Sequence, residues 1–142
     1  MKIKVKFKKL APNAVIPRRG SSQAAGYDLT ALTCAEDASG LPVIHYGTGI
    51  AIEIPKGYAG FIFPRSSCYK YGMDLTNCVG VIDSDYRGEV KTVFMDYYGQ
   101  GYKAGDRIAQ IIIMPVPEVE FEETEELSET ARGAGGYGST GR

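Results

Sequence analysis

Val79-Gly80-Val81-Ile82-Asp83-Ser84-Asp85-Tyr86-Arg87-Gly88-Glu89-Val90-Lys91-Thr92-Val93-Phe94-Met95 is the stretch that decides the fold class. A short apolar run enters a turn of Asp, Ser and Gly, and a second run rich in β-branched and aromatic residues leaves it. Runs of this length bounded by turn residues are strand signals, whereas an amphipathic helix would repeat its apolar positions every three to four residues. The segment reads as a β-hairpin. Outward from it the same grammar recurs at 49–54, 60–63 and 108–114, and Ile3-Lys4-Val5-Lys6-Phe7 alternates strictly. The last pattern predicts an edge strand guarded by lysines on one face. A helical period is present only weakly, at 66–72. The chain is therefore expected to be all-β, as a sandwich, barrel or jelly roll.

Composition narrows the function. The 142 residues carry a net charge of −1, 18 glycines, three cysteines and one histidine. A single histidine excludes His-pair metal sites, and Cys34, Cys68 and Cys78 are too widely spaced for a Cys-x-x-Cys clip. Three is also an odd number, so the cysteines read as small buried hydrophobes in a reducing compartment. No apolar run is long enough to span a membrane, and the N-terminus lacks the unbroken apolar core of a signal peptide. A cytoplasmic location is expected. Without a basic surplus, nucleic acid is a poor candidate partner. The charge is nonetheless segregated: seven Lys or Arg and no acid in residues 1–19, seven Glu and no base in 118–129. Three regions are expected: a β core at 1–117, an acidic connecting segment at 118–131 and a glycine-rich tail at 132–142.

Five segments combine residues suited to an anionic ligand with a flat ring. Ala25-Gly26-Tyr27-Asp28-Leu29 sets an acid beside a glycine. Pro64-Arg65-Ser66-Ser67 puts a guanidinium next to two hydroxyls; if Ser66 opens a helical turn, free N–H groups face the same anion as Arg65. The arm already quoted, entered through Asn77, has Tyr86 close to Asp83. In Gly105-Asp106-Arg107-Ile108-Ala109-Gln110, the polar Gln110 stands in an apolar run and needs a partner. The tail brings Arg132, Tyr137, Ser139 and Thr140 between glycines that let backbone N–H groups approach phosphate.

These five segments, in this order, resemble the five motifs of the trimeric dUTP diphosphatases (dUTPases), across 25–141. The resemblance implies a distorted jelly-roll or β-clip fold and a homotrimer whose sites are each shared by three chains. It implies hydrolysis of dUTP to dUMP and pyrophosphate, which keeps uracil out of DNA and supplies dUMP for thymidylate synthesis. Asp83 matches the catalytic aspartate that activates water for attack on the α-phosphorus. Arg65, Ser66, Ser67 and Gln110 match phosphate ligands, and Arg132, Ser139 and Thr140 match tail contacts to the terminal phosphates. Uracil is expected to be read by Asn77 and by backbone groups near Val81, Ile82 and Lys91, with Tyr86 flat on the deoxyribose and Tyr137 stacking. Mg²⁺ is expected across the phosphates, with Asp28 reaching it through water. Two positions depart from the usual pattern: Tyr137 replaces a common Phe, and Ser67 a common Gly. The rival readings are a dCTP deaminase-like enzyme of the same fold and a non-catalytic regulatory trimer.

Overall fold

A computed structural model describes residues 2–139. They form nine strands in two antiparallel sheets: β1 Lys6–Lys9, β2 Tyr27–Thr30, β3 Thr33–Glu36, β4 Val43–Glu53, β5 Tyr58–Pro64, β6 Met73–Leu75, β7 Gly80–Ile82, β8 Glu89–Asp96 and β9 Arg107–Pro115. One sheet runs β1-β4-β8-β6, with β3 also on β4; the other runs β2-β9-β5-β7. The all-β expectation holds. Residues of both sheets share one core, in which Leu29, Ile62 and Ile108 of the four-stranded sheet meet Ile50, Val90 and Phe94 of the other. Each large aliphatic or aromatic side chain so buried contributes about 1.5–3 kcal/mol.

The lysine-guarded edge is present, but it is paired only from Lys6 onward, where Lys6–Lys9 lies against Ile50–Glu53. The expected helical stretch at 66–72 is a single 3₁₀ turn, Cys68–Tyr71, closed by Gly72 in the left-handed region. Ser66 lies outside that turn, so it caps nothing.

The larger difference concerns the quoted arm. β7 bonds to β5 in one sheet and β8 bonds to β4 and β6 in the other, so the two runs form an arch between sheets and not a hairpin. The physical reason is competition for edges. β4 offers β8 a long partner, and β5 offers β7 a free edge, so pairing across the turn is outbid.

The start of β8 is set by a bulge in β4 between Gly47 and Ala51. There Gly49 takes φ +68°, and a Cβ on it would lie 2.4 Å from Leu32, so only glycine fits. The freed Gly49 N–H donates to Glu89 Oε1 at 2.8 Å, and Thr48 Oγ1 donates to the Val90 carbonyl at 2.7 Å. The arch is thereby anchored at the end where it enters β8. After Pro115 no described residue belongs to a strand or helix.

Candidate functional site

β2, β9 and β5 lie side by side and bring four polar side chains to one end of their sheet. Asp28 stands opposite Gln110, and Gln110 opposite Phe63, one residue before the strand runs out at Pro64. Asp28 Oδ1 lies 3.2 Å from Arg65 Nε, and its Oδ2 accepts from Arg107 Nη1 at 3.1 Å. Arg65 also donates to the Arg107 carbonyl at 3.4 Å. Gln110 finds the partner its position demanded, donating from Nε2 to the Pro64 carbonyl at 3.2 Å. Its side chain passes so close to Gly26 that a Cβ there would lie 2.6 Å from Oε1, so the glycine before Tyr27-Asp28 makes room for the glutamine. Asp28 is 18% exposed and Arg107 56%. Two guanidiniums around one carboxylate leave a net positive mouth, suited to a polyanion.

Ser66 and Ser67 follow Arg65 directly, and neither hydroxyl makes a hydrogen bond among the described residues. Arg107 is the residue that sequence reading passed over. It looked like part of a turn; the strand pairing sets it opposite Thr30, and only its side chain reaches back to Asp28.

A second feature lies between the sheets. A cavity of about 150 Å³ is walled by Ile62, Leu75, Asn77, Gly80, Lys91 and Thr92 among others. It joins Asn77 and Lys91, beside β7, which carries Val81 and Ile82 and is bonded on one side only. Cys78, between Asn77 and β7, takes φ +59°, a conformation rare outside glycine that turns the chain into this cavity wall.

The turn after β7 carries Asp83, exposed, with no partner for its carboxylate among the described residues. Tyr86 is held rigidly: its N–H donates to the Asp83 carbonyl at 3.2 Å and its hydroxyl to the Glu89 carbonyl at 3.0 Å.

Register decides what one chain can bring together. Ile82 stands opposite Gly60, so Asp83 follows at the Ala59 end of β5, whereas Arg65 continues from the Pro64 end. Six residues of strand separate them, about 20 Å at 3.3 Å per residue. Asp83 and Arg65 of one chain therefore cannot act on the same phosphate.

The tail folds on itself. Arg132 Nε donates to the Gly135 carbonyl at 2.8 Å, Gly133 N–H to Thr130 at 3.1 Å, and Ser139 N–H to the Gly136 carbonyl at 3.0 Å. Tyr137 is fully exposed. The structure does not bring Arg132, Tyr137 or Ser139 to the cluster of the same chain, and Thr140 lies outside the described residues. A larger apolar concavity of about 540 Å³, walled by Ile3, Val5, Phe7, Ile111 and Ile113 and rimmed by Lys2 and Arg19, holds none of the site residues. No group of three or more His, Cys, Asp or Glu that could hold a metal occurs among the described residues, and no helix there is long and apolar enough to cross a membrane.

Two antiparallel sheets with a guanidinium cluster at one end and an exposed carboxylate on an arch at the other define a jelly-roll-like β protein built to take a compact anion. The dUTPase family model matches residues 12–141. The deoxyuridine 5'-triphosphate nucleotidohydrolase of Nautilia profundicola is 44% identical over 99% of this chain and all of its own length. That of Paramecium bursaria Chlorella virus 1 is 46% identical over 94% of this chain and 95% of its own. Among solved structures, the Staphylococcus bacteriophage 80alpha dUTPase with dUPNHPP superposes with a TM-score of 0.80 at 26% identity, covering 98% of this chain and 99% of its own. The chain belongs to the dUTPase family.

Proposed function

We propose that this protein hydrolyses dUTP to dUMP and pyrophosphate, with Asp83 activating the attacking water. The observation that carries the reading is the Asp28-Arg65-Arg107 cluster with Gln110 beside it, a net cationic mouth at the strand ends. In this reading Arg65, Ser66, Ser67 and Gln110 hold the phosphate chain. The water deprotonated by Asp83 attacks the α-phosphorus in line, and the bond to the bridging oxygen beside Ser66 breaks. Uracil enters the small cavity, read by Asn77 and by backbone groups at Val81, Ile82 and Lys91. Tyr86, already fixed at both its N–H and its hydroxyl, presents a flat face to the deoxyribose and leaves no room for a 2′-hydroxyl.

The 20 Å between Asp83 and Arg65 supports a site shared between chains, and we infer a homotrimer in which one chain supplies the cluster, a second the arch and a third the tail. Arg132, Ser139 and Thr140 then meet the terminal phosphates, and Tyr137 stacks on the base.

The donor set fits Mg²⁺ carried in on the triphosphate. One partly buried carboxylate, Asp28, borders the phosphate site, and Mg²⁺ keeps several waters through which a single carboxylate suffices. Bound there, the ion supplies charge neutralisation on the phosphates. The solved dUTPase of phage phi11 of S. aureus is described with a structural Mg(II) ion.

Pyrophosphate release from dUTP, dCTP, dTTP and UTP, each with and without Mg²⁺, tests the reading. Release from dUTP alone, stimulated by Mg²⁺, is expected. Ammonia from dCTP with no pyrophosphate from dUTP identifies a deaminase, and binding without any turnover a regulatory trimer.

A further inference from the structure

Residues 83–88 cross from one sheet to the other, so they lack the ladder that would shape a hairpin and depend on their own contacts. Among the described residues, the one main-chain hydrogen bond within the segment runs from the Tyr86 N–H to the Asp83 carbonyl at 3.2 Å. Arg87 adds two more. Its Nη1 donates to the Ser84 carbonyl at 2.7 Å and to the Tyr86 carbonyl at 3.0 Å, one nitrogen with two N–H groups spanning both. Arg87 is exposed, yet it forms no salt bridge among the described residues. A long, solvated side chain gives up rotamer freedom to curl back onto its own turn.

The other side of the turn is tied to the sheets. The Tyr86 hydroxyl donates to the Glu89 carbonyl at 3.0 Å, and Glu89 Oε1 accepts from Gly49 N–H in the bulge of β4 at 2.8 Å. Gly88 leaves the space, since a Cβ on it would lie 2.3 Å from the Tyr86 hydroxyl oxygen. Contacts therefore run from the bulge through Glu89 to Tyr86 and stop there. Between Tyr86 and Asp83, the position of the carboxylate rests on the 3.2 Å main-chain bond and on the Arg87 clip, whose shorter arm grips the residue next to Asp83.

We propose that Arg87 is a positioning residue for Asp83, fixing the backbone of 84–86 so that the carboxylate keeps one orientation toward the attacking water. Displacement of a reacting group by about 1 Å can cost 100-fold in rate, so a turn held by one bond is a poor mount for a base. Arg87 acts here through its donor geometry and not through its charge. The inference rests on the reading of Asp83 as the base and deepens it by naming what aims that base.

The test uses the full-length protein with Arg87→Ala, Arg87→Lys, Asp83→Asn and the double variant Asp83→Asn/Arg87→Ala. Each is measured for kcat and KM with dUTP, for affinity toward the α,β-imido analogue of dUTP, and for melting temperature. Arg87→Ala should lower kcat about 10- to 50-fold with KM and analogue affinity nearly parental. Its melting temperature should match the parent, because both bonds stay inside the turn. Arg87→Lys keeps donors without the planar fork and should recover kcat in part. Added to Asp83→Asn, Arg87→Ala should cost less than about 2-fold more, because a residue that works through Asp83 has nothing left to aim. Full additivity overturns the assignment, and so does weaker analogue binding at parental kcat, which would make Arg87 a substrate contact. A markedly lower melting temperature for Arg87→Ala makes the clip structural and overturns it as well. If Asp83→Asn turns over dUTP like the parent, the reading of Asp83 fails and this inference with it. If Asp83→Asn is inactive while Arg87→Ala matches the parent, that reading stands and this inference alone falls.

Discussion

The strand-end cluster and the arch with its tail carry the same kinds of residue in opposite states. At the cluster every polar side chain already has a partner, with one positive charge in surplus: Asp28 is gripped by Arg65 and Arg107, and Gln110 is tied to Pro64. Among the described residues, Asp83 on the arch has no partner for its carboxylate, Arg132 in the tail bonds only within its own segment, and Tyr137 is exposed. Groups prepaired on strands lose little freedom when a ligand arrives, so they suit recognition. Unanswered groups on turns and tails keep their charge and freedom for a ligand, so in the proposed reading they suit chemistry and closure.

That division predicts different failures. The largest is Asp83→Asn, which should lower kcat about 10³-fold while affinity for a non-hydrolysable dUTP analogue is nearly unchanged; lost affinity would move Asp83 into the recognition group. Next, deletion of residues 132–142 should lower kcat/KM about 100-fold by leaving the phosphates unenclosed. The melting temperature should not move, because the tail's hydrogen bonds stay within 130–139; an unfolded product would show the tail to be structural. The cluster should fail in the reverse manner. Asp28→Asn strands two guanidiniums beside a carbonyl and should cost about 2 kcal/mol of stability together with a raised KM. Arg107→Gln, at a more exposed position, should cost about 0.5 kcal/mol and weaken binding a few-fold. A fall in kcat at unchanged stability for either variant would blur the division.

How much of this was legible in the sequence follows from the range of each signal. Strand existence rests on local period and turn residues, so the short apolar runs translated directly into β4, β5, β8 and β9. Pairing is not local. The arch read as a hairpin because the sequence between β7 and β8 looks like a turn, and nothing within 79–95 says that β4 and β5 are better partners. Candidate site residues with a chemical oddity, such as Gln110 in an apolar run, could be picked out. Arg107 could not, since its meaning depends on a strand 79 positions away. The separation on which the proposed shared site rests is likewise non-local, since only register puts Asp83 and Arg65 at opposite ends of β5.

The smallest predicted effect comes from a polar cluster that belongs to neither region. His45, the single histidine, pairs through Nε2 with Asp37 at 2.7 Å, and Asp37 also accepts from the Ser39 N–H at 2.8 Å. The Ser39 hydrogen bonds, then the one from His45, hold the Asp37 carboxyl down at about 2 from an ordinary 3.8. A carboxyl lowered on folding stabilises the native state above its unfolded value, and that contribution disappears as pH falls from about 3.8 toward 2. Melting curves of the parent and of Asp37→Asn should therefore differ modestly above pH 4 and converge toward pH 2. Neither Asp37→Asn nor His45→Ala should change kcat or the pH profile of turnover, since neither residue lines the cavity or the cluster. If His45→Ala did move that profile, the chemistry would draw on an imidazole, and the assignment of proton transfer to the unpartnered Asp83 would fall.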